Sequence, residues 1–346
     1  MRLSPPLPDP PGIAAAVLWL PSRRLETARA VAAGRLDQET ADRLGYRALS
    51  ESPDRAAPEM AVLAAQKALA DAGWSGDDLG LVVHSWIYHQ GHDFWSAPHY
   101  VAHGIGARHA TPLGVQQTSN GAVAALEVAA GRLALDPSVN RCLVTTADRF
   151  VRPGFDRWSG DIDVAYGDAA TALLLDRDAG PYRLLAIASV SVPEYEVLYR
   201  GDDAFTPAPR ATYPTVSARR TKLVFRAGGG WPRFVAVLRR SVQRVVLDAI
   251  ADAGLTPADP RLRYLVLPRL STGALGQFYG PSVHELALPH TELLDLGRDT
   301  GHLGAGDVVA NLATLQADDR LAPGEVALFL SAGNGFTWSC VAVSHE

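Results

Sequence analysis

Short apolar runs alternate with amphipathic stretches along the chain, and this alternation is typical of an α/β protein. The apolar runs predict buried strands at 13–20, 78–84, 141–147, 166–175, 184–192, 264–267, 326–330 and 333–343. Apolar residues at helical spacing predict helices at 25–33, 37–44, 57–72, 121–131, 234–253 and 308–315. The polar stretches 46–58 and 202–218 follow neither pattern and predict irregular loops.

The order of predicted strands and helices in the first part of the chain recurs in the second part. Recurrence of one alternating pattern indicates an internal pseudo-repeat. We expect the first half to span 1–178 and the second half to span 179–346, because 346 residues are enough for two cores.

Composition and charge exclude several classes of protein. A hydrophobic content of 47% with 20% charged residues is ordinary for a soluble globular protein. The net charge of -5 argues against a nucleic-acid binder, and the longest apolar runs are too short to cross a bilayer. No secretion signal precedes residue 12, and Cys142 and Cys340 lack metal-ligand spacing, which favours buried thiols in a reducing compartment. We therefore expect a cytoplasmic protein without nucleic-acid or membrane partners.

Ser119 lies where an extended run beginning at Val115 gives way to the helix that starts near Gly121. Serine is a favoured N-cap at such a junction, because its hydroxyl accepts a backbone N–H of the first turn. The same position directs a nucleophile at the positive end of the helix, where N–H groups stabilise an oxyanion. This stretch alone favours the cap and leaves the nucleophile open.

His302 and Asp307 are the candidate partners of Ser119. A serine hydroxyl becomes nucleophilic when an imidazole removes its proton, and a carboxylate fixes the tautomer of that imidazole. His302 stands among glycines and other small residues in the segment 300–307, where backbone and ligand can approach closely. Asp307 also has a sufficient structural role as an acid in the first turn of the next helix. Spacing alone does not show that these residues meet.

The segment 86–103 is dense in aromatic residues and histidines and allows two interpretations. Its histidines suggest a metal site, with His99 and His103 on one helix face. No acidic or cysteine residue stands at zinc spacing, so we expect no metal. A pocket lining or an interface is the more common use of such a segment.

Four short motifs are spread from residue 43 to residue 338. They are Arg-Leu-Gly-Tyr-Arg at 43–47, Thr-Ser-Asn-Gly at 118–121, Tyr-Gly-Asp-Ala-Ala at 166–170 and Gly-Asn-Gly-Phe-Thr-Trp at 333–338. In the same order they resemble the Arg-Thr-Gly-Ile-Arg, Ala-Cys-Ala-Gly, Phe-Gly-Asp-Gly-Ala and Gly-Gly-Gly-Phe-Thr-Trp motifs of ketoacyl-acyl-carrier-protein synthase III, in the thiolase superfamily. The resemblance implies a five-layered αβαβα thiolase-like fold with two pseudo-repeated halves, usually assembled as a homodimer.

Three positions depart from that family's pattern. Ser119 replaces the nucleophilic cysteine, Arg269 replaces a catalytic histidine, and His302 replaces an asparagine. The family's histidine and asparagine stabilise the enolate formed when a malonyl group loses carbon dioxide, and both positions have changed. A Ser-His-Asp set instead resembles the acyltransferase branch of the family in natural-product pathways, and the starter-unit protein of daunorubicin-type aromatic polyketide synthases.

This resemblance implies a catalytic triad of Ser119, His302 and Asp307. Backbone N–H groups of Ser119 and Asn334 would form the oxyanion hole. A short acyl or aryl group would pass from a coenzyme A or carrier-protein thioester, through acyl-Ser119, to a carrier protein or a small-molecule acceptor in polyketide or other secondary-metabolite biosynthesis. No bound cofactor or metal is implied, because the coenzyme A or phosphopantetheine thioester is the substrate.

Substrate delivery is predicted from a basic tract in an otherwise acidic chain. The arginines of this tract are Arg219, Arg220, Arg226, Arg233, Arg239 and Arg240. Arg219 and Arg220, together with Arg43 of the first motif, are our candidate contacts to coenzyme A or to an acyl carrier protein. A solvated helix face explains the same tract equally well.

Two other functions stay open at this point. A starter-unit condensing enzyme would use the same acyl-serine to join a propionyl-type primer to a malonyl-loaded carrier protein. A non-catalytic thiolase-fold scaffold would need none of these residues, and the retention of Ser119, His302 and Asp307 argues against it.

Overall fold

The computed structural model of the protein describes residues 10–346. Its strands are β1 Gly12–Trp19, β2 Arg23–Glu26, β3 Ala48–Glu51, β4 Leu81–Ser85, β5 Thr111–Val115, β6 Arg141–Asp148, β7 Ala169–Asp176, β8 Tyr182–Ser191, β9 Leu262–Val266, β10 Glu292–Leu294, β11 Val326–Gly333 and β12 Thr337–His345. Its α-helices are α1 Thr27–Ala32, α2 Gln38–Leu44, α3 Ala57–Ala72, α4 Ala97–Gly104, α5 Gly121–Leu135, α6 Val197–Arg200, α7 Ala218–Ala227, α8 Trp231–Asp252, α9 Thr272–Ala274, α10 Gly280–His284 and α11 Asp307–Ala317.

Ten of these strands form one mixed sheet in the order β10-β9-β11-β12-β8-β1-β7-β6-β4-β5. In the first half, β1 pairs antiparallel with β7, β7 pairs antiparallel with β6, and β6, β4 and β5 follow in parallel. In the second half, β8, β12, β11, β9 and β10 repeat that order and those directions. The two halves join where β1 meets β8. The internal repeat predicted from the sequence is therefore present, and the expected boundary at 178 falls between β7 and β8.

Helices pack on both outer faces of the sheet halves and between them. α5 and α11 share one core with strands of both halves, and Leu126 and Leu312 lie in it. α3 and α4 cover the outer face of the first half around Met60, while α8 covers the outer face of the second half around Val245. The resulting five layers alternate helix and sheet, as the αβαβα prediction requires.

Strands at the centre of the sheet are buried on both faces, which explains why they are continuous apolar runs rather than alternating ones. Every residue of β7 except Asp176 is buried, for example. Cys142 and Cys340 are buried free thiols in β6 and β12. Within residues 10–346, no helix has both the length and the apolar character needed to cross a membrane.

Two local predictions near the N-terminus were wrong. Arg23–Glu26 is a strand, although we expected a helix to begin at residue 25, and Ala48–Glu51 is a strand within the stretch expected to be irregular. The two segments pair with each other, with Leu25 opposite Leu49. Each strand is only four residues long, which is too short to show a clear alternating pattern in the sequence. The two strands are also more than twenty residues apart, so no local signal indicates that they pair.

Candidate active site

Ser119 lies in a 3₁₀ turn, Thr118–Asn120, directly before α5. α5 begins at Gly121, where only glycine fits because a Cβ would lie 2.0 Å from the Ser85 hydroxyl oxygen. Neither the turn nor α5 has a side-chain cap. The Ser119 Oγ instead lies 2.7 Å from Nε2 of His302, so the N-cap interpretation of Ser119 was wrong.

Backbone of the first half holds His302 in place. The His302 N–H donates to the carbonyl of Ala165, and the His302 carbonyl accepts the N–H of Gly167, both at 2.9 Å. A Cβ on Gly167 would lie 1.9 Å from the Thr300 carbonyl oxygen, so only glycine permits this approach. The Tyr-Gly-Asp motif therefore positions the histidine loop, and the Tyr166 ring lies 5.2 Å from the His302 ring.

Asp307 is the first residue of α11 and is only 2% exposed. Its Oδ2 lies 2.7 Å from Nδ1 of His302 and accepts the backbone N–H of Arg269, while its Oδ1 accepts the N–H of Leu303. An ionised carboxylate can only accept, so this network assigns the imidazole proton to Nδ1 and leaves Nε2 to accept from Ser119. Burial raises the pKa of Asp307, but interactions with His302 and Arg269 outweigh burial and hold it below its ordinary value.

Arg269 is a buried cation behind these residues, and the sequence identified it only as a departure from the family pattern. Its guanidinium donates to Oδ1 of Asn311 at 2.8 Å, to Oγ1 of Thr300 at 2.9 Å and to Oγ1 of Thr314 at 3.1 Å. Burial lowers the pKa of the Arg269 guanidinium, and the nearby Asp307 carboxylate offsets only part of this effect. Arginine remains a cation in proteins, so Arg269 supplies a positive charge near Asp307, which it contacts through its backbone N–H.

The turn between β11 and β12 touches the serine turn. Gly333 packs so closely that a Cβ on it would lie 2.4 Å from the carbonyl oxygen of Gln117. The N–H of Asn334 donates to Oγ1 of Thr118 at 2.6 Å. The structure therefore brings Asn334 beside Ser119, but an oxyanion reaches that N–H only by displacing the Thr118 hydroxyl.

A pocket with an empty volume of about 740 Å³, counted to its open mouth, is lined by Ser119 and His302. Much of its remaining wall is aromatic, with rings that contact one another. The Trp231 and Phe234 centroids are 5.3 Å apart, and the Phe234 and Phe336 centroids are 4.9 Å apart. A concave, mainly apolar site with a few polar groups is typical of small-molecule binding.

One part of the pocket wall is charged. Lys222 lines the pocket, and its Nζ lies 2.6 Å from Asp161 Oδ1 and 3.4 Å from Asp163 Oδ2. An Arg226 nitrogen lies 3.1 Å from Asp163 Oδ1. Burial lowers the pKa of Lys222, but Asp161 in particular outweighs burial and holds it above its ordinary value. We call Lys222, Asp161, Asp163 and Arg226 the Lys222 cluster; its two cations and two anions balance.

The sequence did not reveal this cluster, because its members come from two separate segments, 161–163 and 222–226. The available signal was the rarity of lysine, since Lys67 and Lys222 are the only two in the chain. Lys67 is exposed, whereas Lys222 is buried.

The candidate substrate-binding arginines occupy different surroundings. Arg43 donates to a carbonyl of the loop 160–162, and the backbone N–H of Arg219 donates to the same loop. Arg220 is paired with Asp203. The structure thus brings Arg43 and Arg219 to one loop beside the pocket wall and directs Arg220 toward the polar stretch 202–217.

Carboxylates pair with most of the basic tract. The pairs are Arg220–Asp203, Arg226–Asp163, Arg233–Glu194 and Arg239–Glu285. Arg219 and Arg240 are exposed at the two ends of the tract. Pairing reduces the net positive field that the tract offers to an acidic partner.

The segment 86–103 does not line this pocket, although its Ile87 and Tyr88 pack against the cluster that contains the pocket residue Tyr166. None of its described residues lines the pocket, and its histidines, His89, His92, His99 and His103, are exposed. Across residues 10–346, no group of three or more His, Cys, Asp or Glu side chains is arranged to hold a metal ion. The most exposed aromatic side chain of the segment is that of Phe94.

Two stretches of the chain match family models. Residues 113–191 match 3-oxoacyl-[acyl-carrier-protein] synthase III, and residues 274–345 match the C-terminal part of the same family. The beta-ketoacyl-[acyl-carrier-protein] synthase III of Rhodobacter capsulatus is 26% identical over 295 residues, covering 82% of this chain and 83% of that protein.

Solved structures extend the match to nearly the full length. AbyA1, a tetronic acid condensing enzyme, has the same fold, with a TM-score of 0.75 and 21% identity over 96% of this chain and 99% of that chain. ChlB3, an acyltransferase, has a TM-score of 0.89 and 30% identity over 97% of this chain and 98% of that chain. By this similarity and the two family models, the chain belongs to the 3-oxoacyl-[acyl-carrier-protein] synthase III family of the thiolase superfamily.

Proposed function

We propose that this protein is an acyltransferase that works through an ester on Ser119. It would move a short acyl or aryl group from a coenzyme A or acyl-carrier-protein thioester to a carrier protein or a small-molecule acceptor. The observation that most directly supports this is the hydrogen-bonded series from Ser119 through His302 to Asp307, in which both distances are 2.7 Å.

The first half of the reaction makes the ester. His302 Nε2 takes the hydroxyl proton as Ser119 Oγ attacks the thioester carbonyl carbon, and Asp307 stabilises the imidazolium that forms. Collapse of the tetrahedral intermediate breaks the carbon–sulfur bond. His302 then gives its proton to the departing thiolate, so the donor leaves as a thiol.

The second half of the reaction consumes the ester. His302 takes a proton from the incoming carrier thiol or acceptor hydroxyl, which attacks the acyl-serine carbon, and the proton returns to Ser119 Oγ. Water competes with the acceptor at this stage, so the apolar wall of the pocket favours transfer by limiting water around the ester.

In both halves we propose that backbone N–H groups of Ser119 and Asn334 hold the oxyanion. The Asn334 N–H is bound to the Thr118 hydroxyl. The negative oxygen of the intermediate is a stronger acceptor than a neutral hydroxyl, so the oxyanion would displace Thr118 as charge develops.

Decarboxylative condensation of a propionyl-type primer with malonyl-loaded carrier protein is the second candidate, and it is favoured by the names of AbyA1 and the Rhodobacter capsulatus relative. Against it, the family's catalytic histidine is replaced here by Arg269. Its guanidinium donors are directed at Asn311, Thr300 and Thr314 rather than into the pocket.

The remaining proposals concern the setting of the reaction. We propose a cytoplasmic homodimer that acts in polyketide or other secondary-metabolite biosynthesis. β5 is an edge strand of the sheet, and its Leu113 is exposed, which supports pairing with a second copy. Arg43, Arg219 and Arg220 remain the proposed contacts to the phosphates of coenzyme A or to a carrier protein.

Intact-protein mass spectrometry after exposure to a panel of acyl thioesters tests the proposal. The protein should gain the mass of one acyl group, Ser119→Ala should gain none, and Ser331→Ala, which alters another serine lining the pocket, should still be acylated. Addition of malonyl-loaded carrier protein separates the two candidates, because only condensation releases carbon dioxide. A protein that no thioester acylates would be a scaffold rather than an enzyme.

A further inference from the structure

We propose that Asp148 is a positioning residue of the acyl transfer, and that its ionised carboxylate holds the turn 304–306 in place. That turn separates His302 from Asp307 in the chain, so its position determines how both residues meet Ser119. The inference rests on the proposed function, because the alignment of these residues affects a reaction only if Ser119 is acylated.

Asp148 is the last residue of β6 and is completely buried. Its Oδ1 accepts the backbone N–H of Ile87 at 2.9 Å and that of Tyr88 at 2.8 Å. Its Oδ2 accepts the backbone N–H of Ala305 at 3.1 Å. One carboxylate therefore joins the segment that follows β4 to the turn between the catalytic histidine and aspartate.

The turn 304–306 fits closely against its neighbours. A Cβ on Gly304, whose φ is 64°, would lie 2.1 Å from Oδ2 of Asp148. A Cβ on Gly121, the first residue of α5, would lie 3.1 Å from the Cβ of Ala305. The turn is thus packed between the end of β6 and the start of α5. A shift of the turn would move the histidine relative to the nucleophile that precedes α5.

The contacts of Asp148 suit the ionised carboxylate. All three partners are N–H donors, and an ionised carboxylate can only accept. A protonated carboxyl needs an acceptor for its own O–H, and a backbone N–H group cannot be one. Protonation also weakens the three hydrogen bonds, because hydrogen bonds to a charged group are roughly twice as strong as neutral ones. Protonation of Asp148 should therefore loosen the turn.

The charge of Asp148 changes near neutral pH. Burial raises the pKa of this carboxyl to about 7, and the three N–H groups and the charge of His302 offset only part of the effect of burial. Asp307 differs, because its pKa is held below its ordinary value. On acidification from neutral pH, Asp148 therefore gains a proton before Asp307 does.

The other charged or titratable side chains around Asp148 have partners of their own. These contacts are Arg210 with the Tyr88 hydroxyl after β4, His84 of β4 with Gln90, Asp168 before β7 with Arg157, and Arg149 with two backbone carbonyls after β3. On β7 an alanine lies opposite Asp148. His302 is the titratable group that acts on the Asp148 carboxylate.

Asp148 also stabilises the fold, because its hydrogen bonds join two separate segments. That role alone predicts less folded protein in a variant, and it leaves the pH dependence of the reaction to His302. The first-order rate constant of acylation, measured in a single turnover at saturating thioester, separates the two roles. Unfolded molecules lower the amplitude of that reaction but not its rate constant.

The experiment measures this rate constant from about pH 5 to about pH 9, with the acyl-coenzyme A that reacts fastest with the unaltered protein. The logarithm of the rate constant should fall toward acid with a slope that approaches two, because the reaction needs both a neutral His302 and an ionised Asp148. Asp148→Asn should slow acylation at about pH 8 on the order of 10²-fold, as expected for misplaced reacting groups. It should also limit the slope to one.

Asp176→Asn is the matched control. Asp176 ends β7 at the other end of the β6–β7 pair, and its Oδ1 accepts the backbone N–H groups of Asp178 and Ala179. The control thus alters a strand-end carboxylate that holds a loop away from the pocket. It should keep both the rate constant and the slope of the unaltered protein.

Other outcomes separate the inference from the function beneath it. A slope of one in the unaltered protein would overturn the inference and leave the acyl-Ser119 mechanism intact. The same conclusion follows if Asp148→Asn has the rate constant and slope of the unaltered protein. The first of these measurements needs no variant, so it decides the matter even if Asp148→Asn does not fold. Absence of acylation by every thioester would instead overturn the proposed function.

Discussion

Two groups of charged side chains, the first buried and the second partly buried, lie at the wall of the same pocket, and they differ in how protons are held. In the first, Asp307 is hydrogen-bonded to the imidazole of His302 and to the backbone N–H of Arg269, and Nε2 of that imidazole faces Ser119. In the Lys222 cluster, two cations face two carboxylates, and the cluster contains no imidazole. The first group can therefore gain and lose a proton during a reaction, whereas the second is a fixed arrangement of charge.

This difference assigns separate tasks to the two groups. A base that accepts a proton needs a nearby negative charge that is not already neutralised by direct pairing, and Arg269 meets Asp307 through its backbone N–H rather than through its guanidinium. A group that shapes the pocket wall needs charges that stay fixed during the reaction. The predictions below test whether catalysis and the shaping of the pocket wall are separable in this way.

Removal of the base should have the largest effect. His302→Gln leaves Ser119 without a proton acceptor, and we expect acylation to slow on the order of 10⁵-fold, by analogy with triads in general. The measurement is single-turnover release of free coenzyme A, and His103→Gln, which alters an exposed histidine, is the control. A loss of less than tenfold in His302→Gln would remove His302 from the mechanism.

Asp307→Asn should have the next largest effect. The amide keeps the shape of the side chain but cannot stabilise the imidazolium, and it favours the wrong imidazole tautomer, so acylation should slow by about 10⁴-fold. The same single-turnover assay applies. Asp318→Asn, at the exposed C-terminal end of α11, should react at the rate of the unaltered protein. Equal rates for both variants would show that Asp307 serves only as an acidic residue in the first turn of α11 and has no part in the reaction.

Arg269→Met should affect stability more than chemistry. The variant loses a positive charge near Asp307 and the buried hydrogen bonds to Asn311, Thr300 and Thr314, which should lower the free energy of unfolding by about 3–5 kcal/mol at neutral pH. The pKa of Asp307 is depressed in the folded protein, so its stabilising effect is present at neutral pH and is lost as pH falls through that pKa. Removal of Arg269 should raise the pKa of Asp307, so Asp307 becomes protonated at a higher pH in the variant than in the unaltered protein. The difference in the free energy of unfolding between the two proteins should therefore shrink as the pH falls.

Urea unfolding at several pH values from neutral down to about pH 3, below the ordinary pKa of an aspartate, measures this difference. Arg240→Met, which removes an exposed arginine of α8, should change the free energy of unfolding by less than about 0.5 kcal/mol at every pH. A difference for Arg269→Met that grows toward acid would mean that Arg269 does not act on Asp307.

Tyr166→Phe should have the smallest effect, and it tests the independence of the two groups because Tyr166 contacts both. The variant keeps the ring beside His302 and loses only the 3.3 Å hydrogen bond to Asp161. Acylation by benzoyl-coenzyme A should change by no more than about threefold, while the free energy of unfolding falls by about 1 kcal/mol. A tenfold loss of benzoyl transfer would mean that the two groups do not act separately.

The sequence was informative wherever a feature is local. Buried strands such as β7 are continuous apolar runs, and Ser119 stands at a strand-to-helix junction that a short motif identifies. Glycines at 121, 167 and 333 mark the places where another part of the chain approaches closely. These local signals were enough to predict the repeat, whereas the five layers and the meeting of Ser119, His302 and Asp307 were predicted from the resemblance of four short motifs to a known family.

Features that depend on distant pairing were not predictable. Arg269 was recognised as a substitution, but its position behind Asp307 depends on α11 and on the loop that precedes it. The Lys222 cluster joins segments about sixty residues apart. The hydrogen bond between Thr118 and Asn334 joins residues more than two hundred positions apart. The sequence therefore did not show that the Asn334 N–H is bound to the Thr118 hydroxyl. Charged side chains follow no periodic pattern along the sequence, so the sequence does not indicate which of them come into contact.

The position of the acyl group tests the central claim most directly. The protein is treated with an acyl-coenzyme A thioester, quenched in acid and digested, and the modified peptide is sequenced by tandem mass spectrometry. We predict one acyl ester, on Ser119, that disappears when an acceptor thiol is added before the quench. An acyl group on any other side chain, with Ser119 unmodified, would contradict the account.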